Sequence, residues 1–151
     1  MADALAGKAV IVIGASSGIG AAVAKRFGER GAKLVVHYNN NANGAEEVAA
    51  AIRAVGGTVS LLKADMRDRQ AASQLIDDAH RALGRIDVLI NNAGTMYGRT
   101  PTADVTDEQY ENVIDLNIGS VFFASRRAAG ILTAQRSGCI INITTGGSPT
   151  M

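Results

Sequence analysis

The sequence predicts a three-layer α/β/α domain built on a doubly wound parallel sheet of strand order 3-2-1-4-5. Two observations carry this expectation. Short apolar runs alternate strictly with stretches of helical periodicity, which implies right-handed β-α-β crossovers with helices on both faces of the sheet. The first run is also apolar throughout, as a strand covered on both faces must be. With 151 residues, 47% hydrophobic and 19% charged, the chain suits one domain spanning 1–151 and does not read as disordered.

The elements follow in order. Residues 8–13 (KAVIVI) form the first strand and end at Gly14. Ile19, Val23 and Phe27 repeat at i, i+4 and i+8, the apolar face expected of a helix that stops at Gly31. Residues 33–38 (KLVVHY) are the second strand. Asn43-x-x-Glu46 resembles a capping box, with Val48, Ile52 and Val55 as the face behind it and Gly56-Gly57 as the stop. Residues 58–64 (TVSLLKA) make strand three, and Leu75, Ile76, Ala79 and Leu83 face the core on a helix closed by Gly84. Strand four is 86–90 (IDVLI), followed by Asn91-Asn92-Ala93-Gly94. Thr106-x-x-Gln109 is a second capping box, opening a long helix through Val113, Asn117 and Val121 towards Arg136. Residues 139–143 (CIINI) are strand five, an open edge that carries Ile141 and Ile143 and is prone to association.

Composition narrows the function classes. A net charge of +1 gives no basic footprint for nucleic acid. Cys139 is the single cysteine, so neither an internal disulfide nor a cysteine-based metal cluster is expected, and a reducing, cytoplasmic setting fits. The opening MADALAGKAVIVIG lacks a long apolar segment and carries Asp3, so no signal peptide or membrane span is expected.

Gly14-Ala-Ser-Ser-Gly18-Ile-Gly20 lies between the first strand and the first helix. Such a unit offers free N–H groups and a helix dipole to a diphosphate, and its glycines allow a tight turn, close ligand approach and close helix-strand packing. Three glycines alone are also compatible with a purely structural turn. The G-x-x-x-G-x-G spacing, followed by Asp65, Asn91-Asn92-Ala93-Gly94 and Asn117, resembles the classical short-chain dehydrogenase/reductase family along the whole chain. The family commonly has threonine where this chain has Ile13, a change expected to alter a local hydrogen bond and leave the phosphate loop in place.

The resemblance implies a Rossmann-type domain and a nicotinamide cofactor. It places Gly14, Ser16, Ser17, Gly18, Ile19 and Gly20 at the diphosphate, and Tyr38, Asn39 and Asn40 at the adenosine ribose. Asp65, with Met66 beside it, falls at the adenine, and Asn92, Ala93 and Gly94 line the cofactor. The plainer alternatives are a helix-start role for Asp65 and a polar turn for the asparagines. Strand two ends in His37-Tyr38-Asn39-Asn40-Asn41 without a carboxylate, which favours NADP(H) over NAD(H). His37 reads either as a partial cation near the extra phosphate or as a packed, hydrogen-bonded strand-end residue. His80 reads as solvated.

For catalysis, the resemblance makes Asn117 the active-site asparagine that helps hold a relay water. The plainer reading is a buried structural amide that distorts or bridges its helix. Thr145 falls where the family has its serine, with Thr144 and Ser148 as substitutes; a simple polar strand end is the alternative. The family's Tyr-x-x-x-Lys pair is absent: Tyr38, Tyr97 and Tyr110 are the tyrosines, and none has Lys four residues on. The resemblance therefore implies hydride transfer between NADP(H) and a small carbonyl or alcohol substrate, without metal, membrane or nucleic-acid partners. It makes this chain the N-terminal part of such an enzyme, a homodimer or homotetramer at full length. A dinucleotide-binding module or fragment without turnover is the alternative.

Overall fold

Five parallel strands in the order β3-β2-β1-β4-β5 form the sheet expected from the alternation. The computed structural model describes residues 4–96 and 100–144. The strands are β1 (Ala9–Ile13), β2 (Lys33–Tyr38), β3 (Thr58–Lys63), β4 (Val88–Asn91) and β5 (Cys139–Asn142). The helices are α1 (Gly18–Glu29), α2 (Ala42–Ala54), α3 (Arg69–Leu83), α4 (Asp107–Ile114) and α5 (Ser120–Gln135). A π turn over Asp115–Gly119 joins α4 to α5.

Every residue of β1 is buried, which explains its unbroken apolar run. Alternate side chains feed two separate cores. Ile11, Ile13, Val35 and Leu89 meet Leu75, Ile76, Ala79, Ala124 and Ala128 on one face. Val10, Val12, Leu34, Val36 and Ile90 meet Ala24, Ala45, Val48 and Ile52 on the other. The two edges are more exposed; β5 ends at Asn142, one residue short of the expected bound, and Ile141 on it and Ile143 just past it are 41% and 40% accessible.

Several local expectations are corrected. On α1 the buried face is Gly20, Ala24 and Gly28, whereas Ile19 is exposed and Val23 and Phe27 are only half-buried. Small residues win this face because the helix lies too near its neighbours for larger ones. A Cβ on Gly28 would sit 3.0 Å from the Ile52 side chain. Val55 lies past the end of α2 and is exposed. That helix begins earlier than the Asn43-x-x-Glu46 pattern suggests: Asn41 is its cap and accepts from the Gly44 N–H at 3.1 Å. The Asn41 amide also donates to the Ser16 carbonyl, a long-range tie that selects it from the neighbouring asparagines. By contrast, the Thr106/Gln109 capping box is present as expected, and Gly31, Gly56 and Gly84 all take positive φ at helix ends.

Strand four runs through Asn91 rather than stopping at Ile90, because Asn91 pairs with Asn142 and its carbonyl accepts from the Ile143 N–H. Its predicted first residues instead form an anchor. The Asp87 carboxylate accepts from the Ala9 N–H at 2.9 Å and from the Arg85 guanidinium at 2.7 Å, with Lys8 3.9 Å away. Among the described residues, no helix is long and apolar enough to cross a membrane.

Candidate functional site

The C-terminal ends of β1, β2, β3 and β4 open on one cleft of about 500 Å³. Ligand sites are expected at this end of an open α/β sheet, where the strand order reverses. Gly14, Ser16, Ser17, Tyr38, Asn39, Asn40, Asp65, Met66, Asn92, Ala93 and Gly94 all line it. Residues more than 70 positions apart in sequence therefore share one wall.

The glycine turn is held from several sides. Gly14 has φ +71° and donates its N–H to His37 Nδ1 at 3.0 Å. Its carbonyl accepts from the Asn92 amide at 2.8 Å, so both of its peptide groups are engaged. Gly20 is buried against this turn, and a Cβ there would collide with the Gly14 carbonyl and the Asn92 amide. Ser17 precedes α1 without capping it, and the first intrahelical bond runs from the Ala21 N–H to the Ser17 carbonyl. The N–H groups of Gly18, Ile19 and Gly20 thus have no intrahelical acceptor, the arrangement that receives an anion. The Ile19 side chain is 64% exposed and is not among those lining the cleft.

At the other end of the cleft, Asp65 does not start a helix. Asp68 does, accepting from the Gln70 and Ala71 N–H groups. Asp65 instead accepts from the Arg67 backbone and guanidinium, and Arg67 reaches on to Asn112 Oδ1 at 3.0 Å. Hydrogen bonding by Arg67 holds the Asp65 carboxyl below its usual range, against a smaller opposing effect of burial, with the Asn39 amide assisting. Arg67, Asn112, Thr95 and Leu116 also line the cleft and were not read from the sequence. Only the nearness of Arg67 to Asp65 in the chain offered a signal.

His37 is a packed, hydrogen-bonded residue, 2% exposed, with Nε2 3.1 Å from the Ala64 carbonyl. Burial lowers its pKa, outweighing the Ala64 carbonyl and the Asp65 charge, so the ring is neutral at pH 7. It is therefore not the partial cation considered from the sequence. His80 is partly exposed.

Asn117 differs most from expectation. It lies exposed in the π turn, not buried on a continuous apolar face, because the wider turn breaks the 113-117-121 stacking. Its Oδ1 accepts from the Thr95 N–H and its Nδ2 donates to the Thr95 carbonyl, each at 2.8 Å. The amide thus ties the turn to the segment after β4 rather than bridging its own helix. Asn117→Ala is expected to cost about 1–2 kcal/mol for the two bonds. Urea denaturation and amide exchange at Thr95 test this; unchanged protection of Thr95 contradicts it. Thr144 is exposed, while Thr145, Ser148 and Tyr97 lie outside the described residues.

Among the described residues, no group of three or more His, Cys, Asp or Glu is placed to hold a metal. The site is instead a row of backbone donors, amides and one paired carboxylate, suited to a ligand with phosphate at one end and a polar ring at the other.

Comparison with known proteins agrees with this geometry. The family model described as short chain dehydrogenase matches residues 8–149. A curated relative, 3beta-hydroxysteroid dehydrogenase 1 of Eggerthella lenta, is 38% identical over 144 residues, covering 95% of this chain and 55% of its own length. A metagenomic short-chain oxidoreductase solved with NADP superposes with a TM-score of 0.90 at 31% identity, covering 97% of this chain and 66% of that one. A 7 alpha-hydroxysteroid dehydrogenase solved with NADH and 7-oxo glycochenodeoxycholic acid gives 0.87 at 35% identity, covering 93% and 54%. The chain spans about half the length of the curated relatives it matches.

Proposed function

Because the chain belongs to the short-chain dehydrogenase/reductase family, we propose that residues 1–151 form the dinucleotide-binding domain of an NADP(H)-dependent oxidoreductase acting on a small carbonyl or alcohol. The observation that carries this reading is the convergence of the braced Gly14 turn, the open start of α1 and the Asn92-Ala93-Gly94 wall on one cleft. The open start of α1 suits the cofactor's diphosphate, and the turn that presents it depends on Gly14 and Gly20, where a Cβ would collide with protein atoms. Gly14, Ser16, Ser17, Gly18, Ile19 and Gly20 would hold the diphosphate, Tyr38, Asn39 and Asn40 the adenosine ribose, and Asp65 with Met66 the adenine. When bound, nicotinamide supplies the hydride-transfer chemistry.

Asn117 braces the segment bordering the nicotinamide end, and Thr145 supplies the hydroxyl that orients the substrate oxygen. A threonine hydroxyl donates as a serine does, with less rotamer freedom. No residue of 1–151 is assigned the proton-transfer role.

NADP(H) is preferred because the end of β2 presents Tyr38, Asn39, Asn40 and Asn41 and no carboxylate, while the charge of Asp65 is paired with Arg67. Relatives of known structure hold NADP or NADH. In titrations followed by nicotinamide fluorescence, NADPH is expected to bind at least ~10-fold tighter than NADH, about 1.4 kcal/mol. Tighter binding of NADH overturns the preference, and binding of neither overturns the cofactor reading.

A further inference from the structure

His37 is a buried titratable group, bordering the cleft, that the cofactor reading leaves without a task. Its surroundings define its chemistry. The Gly14 N–H must be the donor to Nδ1, so Nδ1 carries no proton. The Ala64 carbonyl can only accept, so Nε2 carries the proton. The neutral Nε2–H ring thus links the glycine turn after β1 to the end of β3, while the His37 carbonyl accepts from the Ala15 N–H. The Ile13 side chain lies in the core and offers no hydroxyl to this turn.

We propose that His37 is a positioning residue for the dinucleotide: its neutral ring latches the Gly14 turn in the diphosphate-receiving shape, and protonating the ring releases the latch and weakens binding. This rests on the cofactor assignment made above for the same cleft. A proton on Nδ1 would set two donors against each other across a 3.0 Å contact, with no acceptor for either. Gly14 would then keep only its Asn92 bond to hold a backbone at φ +71°.

The charged groups around the ring do not offset this. The glycine loop contributes Gly14, Ala15, Ser16 and Ser17, and the β4 end contributes Asn92, none of them charged. From the β3 side, Asp65 favours the protonated ring, but its carboxylate is bound by Arg67; Lys63, in register with Tyr38, is exposed. On β2 itself Tyr38 follows the histidine, and Lys33 lies at the far end of the strand. Burial is the largest influence and lowers the pKa. Binding is therefore at full strength above the ordinary histidine range and is lost as pH falls through the lowered value.

The test compares wild type, His37→Asn and His37→Leu. Asparagine keeps an acceptor in the Nδ1 position but does not titrate; leucine keeps neither bond. Adenosine 5′-diphosphoribose is the probe, because its charge is constant between pH 7.5 and 5.0. Calorimetry is expected to show a loss of wild-type affinity towards the acid end of that range. His37→Asn keeps the acceptor for Gly14 but loses the Ala64 bond, so it should bind more weakly than wild type at pH 7.5 with a flat profile, and His37→Leu should bind more weakly still throughout. Parallel pH profiles for wild type and His37→Asn, or equal weakness of the Asn and Leu variants, overturn the latch. Hydrogen exchange at Gly14 and Ala15, corrected for intrinsic rates, reads the latch without ligand. It should rise on acidification in wild type and not in His37→Asn; equal rises in both overturn it. If the probe binds no variant at any pH while exchange behaves as expected, the cofactor assignment fails and the latch stands.

Discussion

Gly14→Val is expected to abolish measurable NADPH binding and to destabilise the fold by about 3 kcal/mol or more. Two penalties coincide at this position. A β-branched residue at φ +71° is a backbone outlier. Its Cβ would also lie 2.8 Å from Ala93 Cα and 3.0 Å from Ala93 N, backbone atoms that cannot rotate away. Relief requires moving the turn, and the turn's N–H and carbonyl are bonded to His37 and Asn92, so both bonds are lost together. Gly18 provides the control. It has φ +54°, but a Cβ there would meet nothing within 4 Å, so alanine carries strain without collision. Urea denaturation and an NADPH titration decide the matter: a wild-type midpoint and affinity in Gly14→Val refute the expectation.

Asp87→Ala is expected to cost about 1–3 kcal/mol without entering the cleft, chiefly by leaving the buried Ala9 N–H without its acceptor. Burial alone would raise the Asp87 pKa, but the Ala9 N–H, Arg85 and Lys8 together outweigh it and hold the carboxyl below its usual range. The associated stability is therefore full above the ordinary carboxylate value and lost as pH falls through the lowered one. Asp87→Asn keeps an acceptor for Ala9 and should lose less at pH 7. Urea midpoints of the three proteins at pH 7 and pH 3 measure this; equal losses for Ala and Asn at pH 7 count against the Ala9 bond as the main cause.

The architecture was legible because its signal is local and repeated. β1 is apolar without interruption since helices cover both sides of it. The glycine stops were legible because a positive φ has few other solutions. The face of α1 was not, because periodicity finds large apolar residues, whereas Gly20, Ala24 and Gly28 occupy the contact by being small. The cap of α2 was displaced to Asn41 by a carbonyl 25 residues away, and Arg67 acquired Asn112 across 45 residues. In the cleft, residues belonging to a spaced motif were legible in the chain. Those recruited by the fold, such as Thr95 and Leu116, carried no pattern there.

The π turn at Asp115–Gly119 has a consequence of phase. Each residue of a regular helix advances the azimuth by about 100°. Widening one turn therefore lets the two ends of a continuous rod be indexed separately. Before it Asn112, and at its start Leu116, line the cleft; after it, Ala124 and Ala128 seat in the core and Arg127 bonds Asp77 on α3 at 2.6 Å. The downstream half keeps its footing on the sheet while the upstream half faces the cleft. Asn117 sits at the joint, so its grip on Thr95 sets where one indexing stops and the other begins.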